Sequence, residues 1–581
     1  MVTELFLFCK GVNAMSFVSL QTKKIPPHLK RYIARQKYER YTPIDQAVWR
    51  YVMRQNVHFF KERAHAAYQD GLAKTGILIE RIPRIEEMDQ CLSPFGWGAV
   101  PIDGLIPGVA FFEFQANGLL PIATDIRTLG HIAYTPAPDI IHEAAGHAPI
   151  LSDETYARYV KTFGKIGAKA LASREENEVF QATRRLTQVM ENPESTPDDI
   201  RKAEQELQEK RAAATTVSEA TLISRLYWWT VEYGLIGDCD NPKIYGAGLL
   251  SSIGEGQHCL SDQVRKLPFD LETCIATDYD VTRPQPQLFV CRDFEQLIDA
   301  VETFSARMAF RTGGTEGLQK AIASGDVATV EYNTGLQVSG VFTHMIRDDR
   351  GEAVYMKTTG PTALAFHGNE LPRQGTKRHA SGFGAPIGRV VKQNGSGEPG
   401  STIDWHWESG LRVTGRVSDR IEEHSHPLLL TLTDCTVTYR GETLFHPDWG
   451  EYDLVIGREI VSVFAGAADP GKYYADEAEP KLDEEPVPSY STLDHLYQAV
   501  REIREGKTSV EALPSIARTL DDICPGDWLL RLEILEICRD KGIYRLLADR
   551  IQHELEQLGQ DDPSLHSLIT NGMRLLNRGN S

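Results

Sequence analysis

The apolar periodicity of this chain changes several times along its length, and no single core can absorb all the resulting pieces. From about Tyr41 to Arg311 apolar residues recur at three- and four-residue steps, as in TPIDQAVWRYVMRQNVHFF, whose Thr-Pro start is a helix entry. From about 328 to 466 the text turns into short alternating runs such as GLQVSGVFTHMI, EAVYMKT, LRVTGRV, LLLTLTDCTVTYR and DLVIG, separated by Gly, Asn and Asp. That is the mark of an all-β domain. Residues 467–490 are acidic and Pro-rich and read as a linker. Residues 491–581 return to amphipathic helices, for example LDHLYQAVREIREG and LADRIQHELEQLG. A length of 581 residues fits two or three domains. The expected architecture is multidomain: an N-terminal tail (1–36), a mainly α-helical domain (37–327), a β-rich domain (328–466), the linker, and a C-terminal helical segment. Within the first domain, residues from about 174 to 216 are rich in Glu, Arg, Gln and Ala and are split by the turn NPESTPDD, which predicts an inserted helical hairpin. Its charge serves either as a solvated face or as a partner-binding one.

The net charge of -19 argues against nucleic acid, whose binding needs a surplus of Lys and Arg, and against anionic membranes. No apolar run approaches the roughly 20 residues of a membrane span. The opening MVTELFLFCKGVNA has no basic region before its short apolar stretch and makes a poor secretory signal; Met1 and Met15 are both candidate starts. Nine scattered cysteines, with no C-x-x-C pair, fit reduced thiols and a cytoplasmic location.

The most informative segment is TPAPDIIHEAAGHAPIL, residues 135–151. Thr135 with its prolines starts a helix, and His142 and His147 stand five apart, unlike the i, i+4 pair of the H-E-x-x-H motif. On a regular helix five steps of about 100° leave the second His roughly 140° away. The expectation is therefore that the helix ends between them, at Gly146 before Pro149. Two metal ligands or two buried, hydrogen-bonded histidines both fit at this point. Glu232 is the only acid in the apolar stretch LYWWTVEYGLI, and a lone buried carboxylate needs a cation or hydrogen-bond donors. A metal would serve, as would an unseen Arg. Two His and one carboxylate leave coordination positions open, the pattern of non-haem Fe(II) oxygenases; closed structural zinc sites fill all four.

With these residues in view, the chain resembles the pterin-dependent aromatic amino acid hydroxylases, particularly the bacterial phenylalanine 4-monooxygenases. The resemblance covers roughly residues 37–311. It is carried, in family order, by YTPIDQAVWR, RIPRIEEM, GLIPGVAFFEFQANGLLPIATDIR, TPAPDIIHEAAGHAPILSD, YWWTVEYGLI, YGAGLLSSIGE and YDVTRPQPQLFV. It implies a catalytic domain in which His142, His147 and Glu232 bind Fe(II), with a tetrahydropterin as cofactor and O2 as co-substrate. Gly104, Leu105 and Ile106 would form the pterin-side loop, Phe111 would stack on the pterin, and Glu143 and Tyr227 would line that side. Arg127 would hold the substrate carboxylate, a fork matching a planar acceptor, with Thr135, Asp139 and Ser251 supporting the pocket. Trp228, one turn before Glu232, would pack near the substrate ring or simply be core. Gly246 and Gly248 are read as sites of close backbone approach to the substrate. Val281 points to phenylalanine as substrate; the neighbouring Asp280 keeps tyrosine open, and tryptophan is the remaining alternative. Ser224 departs from the small apolar residue the family usually has there.

The spacing of 85 residues from His147 to Glu232 exceeds that of the family, and the helical hairpin accounts for the excess. Beyond the match lie about 270 residues with no recognised family. His424 and His426 are two apart there, with His406 and His446 nearby in sequence, and either hold a second metal or are ordinary histidines. The C-terminal helices are a candidate homo-oligomer interface. Two rival classes are a zinc hydrolase built on His142 and His147, and a catalytically silent amino-acid sensor.

Overall fold

Thr42 Oγ1 accepts the amide hydrogen of Asp45 while the Asp45 carboxylate accepts that of Thr42, and Pro43 fills the first helical position. This reciprocal cap starts the helix Pro43–Phe60, which is buried on more than one face. The computed structural model describes residues 22–132, 138–191, 195–281, 283–423, 426–475 and 489–576. Thr135, His424 and both candidate start methionines lie outside them.

Around this helix the first half of the chain is mainly α-helical, with two small sheets. Strands Gly98–Ile102 and Leu119–Ala123 pair in parallel, joined by the crossover helix Gly108–Ala116. The loop 103–107, which carries Gly104, Leu105 and Ile106, therefore opens at the carboxyl end of the first strand. The second sheet runs in the order Lys243–Ile244, Leu235–Ile236, Gln287–Cys291, Arg265–Pro268. Its second strand follows Glu232 by two residues and ties that segment to the body of the domain.

Helices Arg174–Glu191 and Pro197–Ala213 lie side by side, linked by Lys210–Glu178 at 2.7 Å and Arg185–Glu206 at 3.2 Å. These pairs are exposed and add little stability. From Val327 to Ala465 the chain forms two six-stranded antiparallel sheets. Their long central strands, Leu336–Arg347 with Ala353–Phe366 and Leu411–Glu423 with His426–Tyr439, pair through several bulges. Leu428, Leu429 and Val455 of the second sheet pack into the core of the first, so the two share their interior.

The segment after the sheets begins with a helical turn, Pro470–Tyr473, and residues 476–488 lie outside the described part. The last helices run Thr492–Arg504, Leu513–Ile523, Trp528–Lys541, Arg545–Asp561 and Pro563–Leu576. They do not stand apart from the first half. Trp528–Lys541 buries ten of its fourteen residues, so it is enclosed on all sides. Its Leu, Ile and Trp side chains belong to the same hydrophobic core as Trp49, Tyr68 and Trp229. Among the described residues no helix is long and apolar enough to cross a membrane.

Candidate metal centre

His142 and His147 share one face because the helix between them is not α-helical. Ile141–His147 winds as a π-helix, in which the Ala148 amide reaches back five residues to the Glu143 carbonyl at 3.3 Å. The break expected at Gly146 is absent. A wider turn does its work, since i→i+5 bonding brings side chains five apart into line. The same device recurs at the third candidate ligand: Trp228–Glu232 is a second π-turn, closed by the Tyr233 amide on the Trp228 carbonyl at 2.8 Å. The segment Gly246–Leu250 runs against both. A Cβ on Gly146 would fall 2.6 Å from the Ala247 carbonyl oxygen, and one on Gly246 would fall 2.4 Å from that of Glu232. Gly246 and Gly248 thus come close to the backbone of Glu232 and the ring of Tyr233.

Three donors converge on one point. His147 Nε2 lies 3.2 Å from His142 Nε2 and 3.2 Å from Glu232 Oε1, and His142 Nε2 lies 3.3 Å from Glu232 Oε2. Donors about 2.1 Å from a common cation and at right angles to each other stand about 3.0 Å apart. Among the described residues this is the one cluster of three metal-ligand side chains. Ser251 fixes the tautomer. Its hydroxyl donates to the Gly248 carbonyl at 3.1 Å, so its oxygen accepts Nδ1–H of His142 at 3.1 Å and leaves Nε2 with a free lone pair. Ser251 therefore holds the ring nitrogen of His142 opposite the one that faces Glu232.

Burial disfavours charge on His142, but Glu232, then Glu143 and Asp139, outweigh it and raise its pKa to about 9. Burial would raise that of Glu232, yet the two histidines hold it well below the carboxylate range. A divalent cation satisfies all three donors at once, and the donor set of two imidazoles and one carboxylate fits iron.

Asp139 organises the approach. Its carboxylate accepts Nε and Nη2 of Arg127 at 2.8 Å each, the Arg127 amide at 2.9 Å, and the His142 amide at 3.0 Å. Both side chains are buried. Arg127 outweighs burial and lowers the Asp139 pKa. One carboxylate therefore holds the guanidinium and the start of the ligand-bearing helix together.

On the other side, Glu143 is buried and its Oε2 has no hydrogen-bond partner; burial raises its pKa against the pull of His147 and His142. Tyr227 packs edge-on against Phe111 and Phe163, with ring centroids 5.8 and 5.1 Å away, and its hydroxyl accepts from Gln115 Nε2 at 2.7 Å. Gly104 adopts a φ of +57° with open space beside it. Trp228 lies between two rings: Tyr233 stacks on one face at 4.5 Å and Tyr279 on the other at 4.4 Å. Tyr233, Tyr279 and Gln115 were not singled out by sequence; only the adjacency of Tyr279 to Asp280 hinted at it. Val281, next along that loop, is 38% exposed. In the β-rich part His406 pairs with Asp404 at 3.1 Å and His446 with Asp448 at 3.3 Å, His426 is exposed, and among the described residues none of them joins a group of three metal-ligand side chains.

A family model described as biopterin-dependent aromatic amino acid hydroxylase matches residues 30–184 and 205–312. The unmatched stretch between falls inside the helical hairpin. A phenylalanine-4-hydroxylase of Mesorhizobium japonicum is 31% identical over 295 residues, covering 50% of this chain and 88% of the relative. One from Pseudomonas aeruginosa is 30% identical, covering 47% and 88%. A solved structure of Chromobacterium violaceum phenylalanine hydroxylase, with bound iron(III) and oxidised 7,8-dihydrobiopterin, is 26% identical with a TM-score of 0.38, covering 51% of this chain and 92% of that one.

Proposed function

Because this chain belongs to the biopterin-dependent aromatic amino acid hydroxylase family, we propose that it hydroxylates the ring of L-phenylalanine to give L-tyrosine, using Fe(II), a tetrahydropterin and O2. The observation that carries this reading is the convergence of His142, His147 and Glu232 from two π-turns. These three side chains would hold the iron. Iron and tetrahydropterin, when bound, would supply the electrons that activate O2, and O2 the oxygen atom that enters the ring.

The protein's own contribution is placement. Ser251 holds His142 in the tautomer that offers Nε2 inward. Arg127, with two nitrogens clamped by Asp139, keeps Nη1 for the carboxylate of the amino acid, so one end of the substrate is fixed while its ring points inward. Thr135 would complete that pocket. Phe111, Tyr227, Glu143 and the loop Gly104–Ile106 form the pterin side, where Glu143 offers a buried carboxylate oxygen that accepts no hydrogen bond. The substrate ring meets the stacked set of Tyr233, Trp228 and Tyr279, and stacking directly on Trp228 requires it to take the place of Tyr279. Val281 borders the outer rim of this pocket. The enclosed aromatic walls exclude water from the reacting atoms.

The test is anaerobic reconstitution with Fe(II), then air, tetrahydropterin and each of phenylalanine, tyrosine and tryptophan, with products resolved by mass. Gain of one oxygen on phenylalanine, requiring both iron and pterin, is the expected result. Tight zinc without pterin dependence would favour hydrolysis, and amino-acid binding without turnover would favour a sensor.

A further inference from the structure

The C-terminal helices have no counterpart in the matched family region, yet they reach the iron site through a short series of contacts. Helix Pro43–Phe60 lies between the two. One of its faces belongs to the C-terminal helices. Arg50 donates Nε and Nη2 to the two oxygens of Glu533 at 2.7 and 2.9 Å, and both side chains are buried. Tyr51 donates its hydroxyl to the Leu568 carbonyl at 2.7 Å and packs edge-on against Trp528. Arg54 pairs with Glu536, which also accepts from Arg504 at 2.6 Å.

The adjoining face belongs to the catalytic core. Trp49 donates to the Leu78 carbonyl at 2.8 Å, and Phe60 packs where a Cβ on Gly256 would fall 2.7 Å from its ring. Between them Asn56, fully buried, donates Nδ2 to the Leu250 carbonyl at 3.1 Å. Leu250 immediately precedes Ser251, whose oxygen holds His142 Nδ1.

A buried ion pair adds little stability over an apolar pair of the same volume, but a bidentate fork fixes orientation. We infer that Arg50 and Glu533 set the position of helix Pro43–Phe60, and that Asn56 passes this position through Leu250 and Ser251 to His142. Asn56, Arg50 and Glu533 are positioning residues for the metal centre, and the C-terminal helices are its rear support. The inference rests on His142, His147 and Glu232 being the metal ligands.

The experiment is a titration of metal-free full-length protein with Co(II), read by the visible bands of the bound ion, alongside thermal midpoints. Asn56→Ala and Glu533→Gln are expected to bind Co(II) about tenfold more weakly, with displaced bands, as outer-layer changes at metal sites do. Arg378→Met, which takes the guanidinium from the buried Asp453 in the β-rich part, controls for lost stability alone: a lowered midpoint with wild-type affinity and bands. If Asn56→Ala and Glu533→Gln behave like Arg378→Met, the positioning role is wrong while the metal site stands. If the wild-type protein itself takes up no Co(II), the metal reading falls, and this inference with it. Should Glu533→Gln fail to fold, Asn56→Ala decides alone.

Discussion

Glu232 in the helical half and Asp453 in the β-rich half are both buried carboxylates, and their surroundings differ in kind. Asp453 accepts Nε of Arg378 at 2.7 Å, Nη2 of the same guanidinium at 3.0 Å, and the Thr431 hydroxyl at 2.6 Å. Its neighbours are donors, and the cluster is complete as it stands. The nearest polar atoms to Glu232 are two imidazole nitrogens at 3.2 and 3.3 Å, one of which Ser251 commits to carrying a lone pair. A carboxylate facing donors finishes a structure; one facing other lone pairs is waiting for a cation. Burial alone does not separate the two, since both are shielded from water.

The contrast can be broken most severely at Glu232. Glu232→Ala is expected to lose both retained iron and hydroxylation, measured by metal analysis after gel filtration and by product formation; full activity at unchanged iron content would overturn the ligand assignment. Arg378→Met leaves the buried Asp453 carboxylate without its guanidinium and should cost about 1–2 kcal/mol of stability in chemical denaturation, while iron content stays as in the wild type. Loss of iron in that variant would mean the two halves are not separable. Ser251→Ala leaves Nδ1–H of His142 without its acceptor and should weaken iron binding about tenfold to a hundredfold, read by competition with a chelator. Unchanged affinity would show that the tautomer is held by something else.

The smallest expected effect is a pH dependence in the β-rich half. Burial lowers the pKa of His379 from 6.5 to about 4, against the pull of Asp453 and with the help of Arg378. The folded-state value lies below the unfolded one, so the unfolded chain binds the extra proton between the two. The contribution is intact above 6.5 and is lost progressively as the pH falls toward 4. His379→Gln should flatten the stability curve over that window. An identical curve in the variant would place the titration elsewhere.

Sequence carried the helical half further than the rest, for identifiable reasons. Glu232 was visible because an acid in LYWWTVEYGLI has no apolar excuse, and the two histidines because they stand close together. Their shared face was not: the five-residue spacing was read on an α-helix, which demanded a break, where a π-turn supplies the alignment. The alternation of the β-rich runs announced strands but not their partners. Arg378 meets Asp453 across 75 residues, and nothing local in GTKRHAS or EYDLVIG announces that pairing. For the same reason the contact of Arg50 with Glu533, 483 residues apart, was out of reach, although an Arg within a helix so rich in apolar neighbours could have been suspected. Amphipathic stripes in the last helices signalled burial of one face without saying that the covering surface is the helix Pro43–Phe60.

The π-turn between the histidines also fixes what lengths the segment tolerates. Removing one residue from Glu143–Gly146 would leave the histidines four apart, and reversion to ordinary α pitch would again stack them on one side. The pair would survive such a deletion, and so would the phase of the chain beyond it, because the narrower turn closes over one residue fewer. Pro149 would stay where its carbonyl packs against Gly71, because the wide turn absorbs the extra residue locally instead of passing a rotation of about 100° down the chain. The extra residue and the wider turn thus offset each other, and either can be lost safely only together with the other.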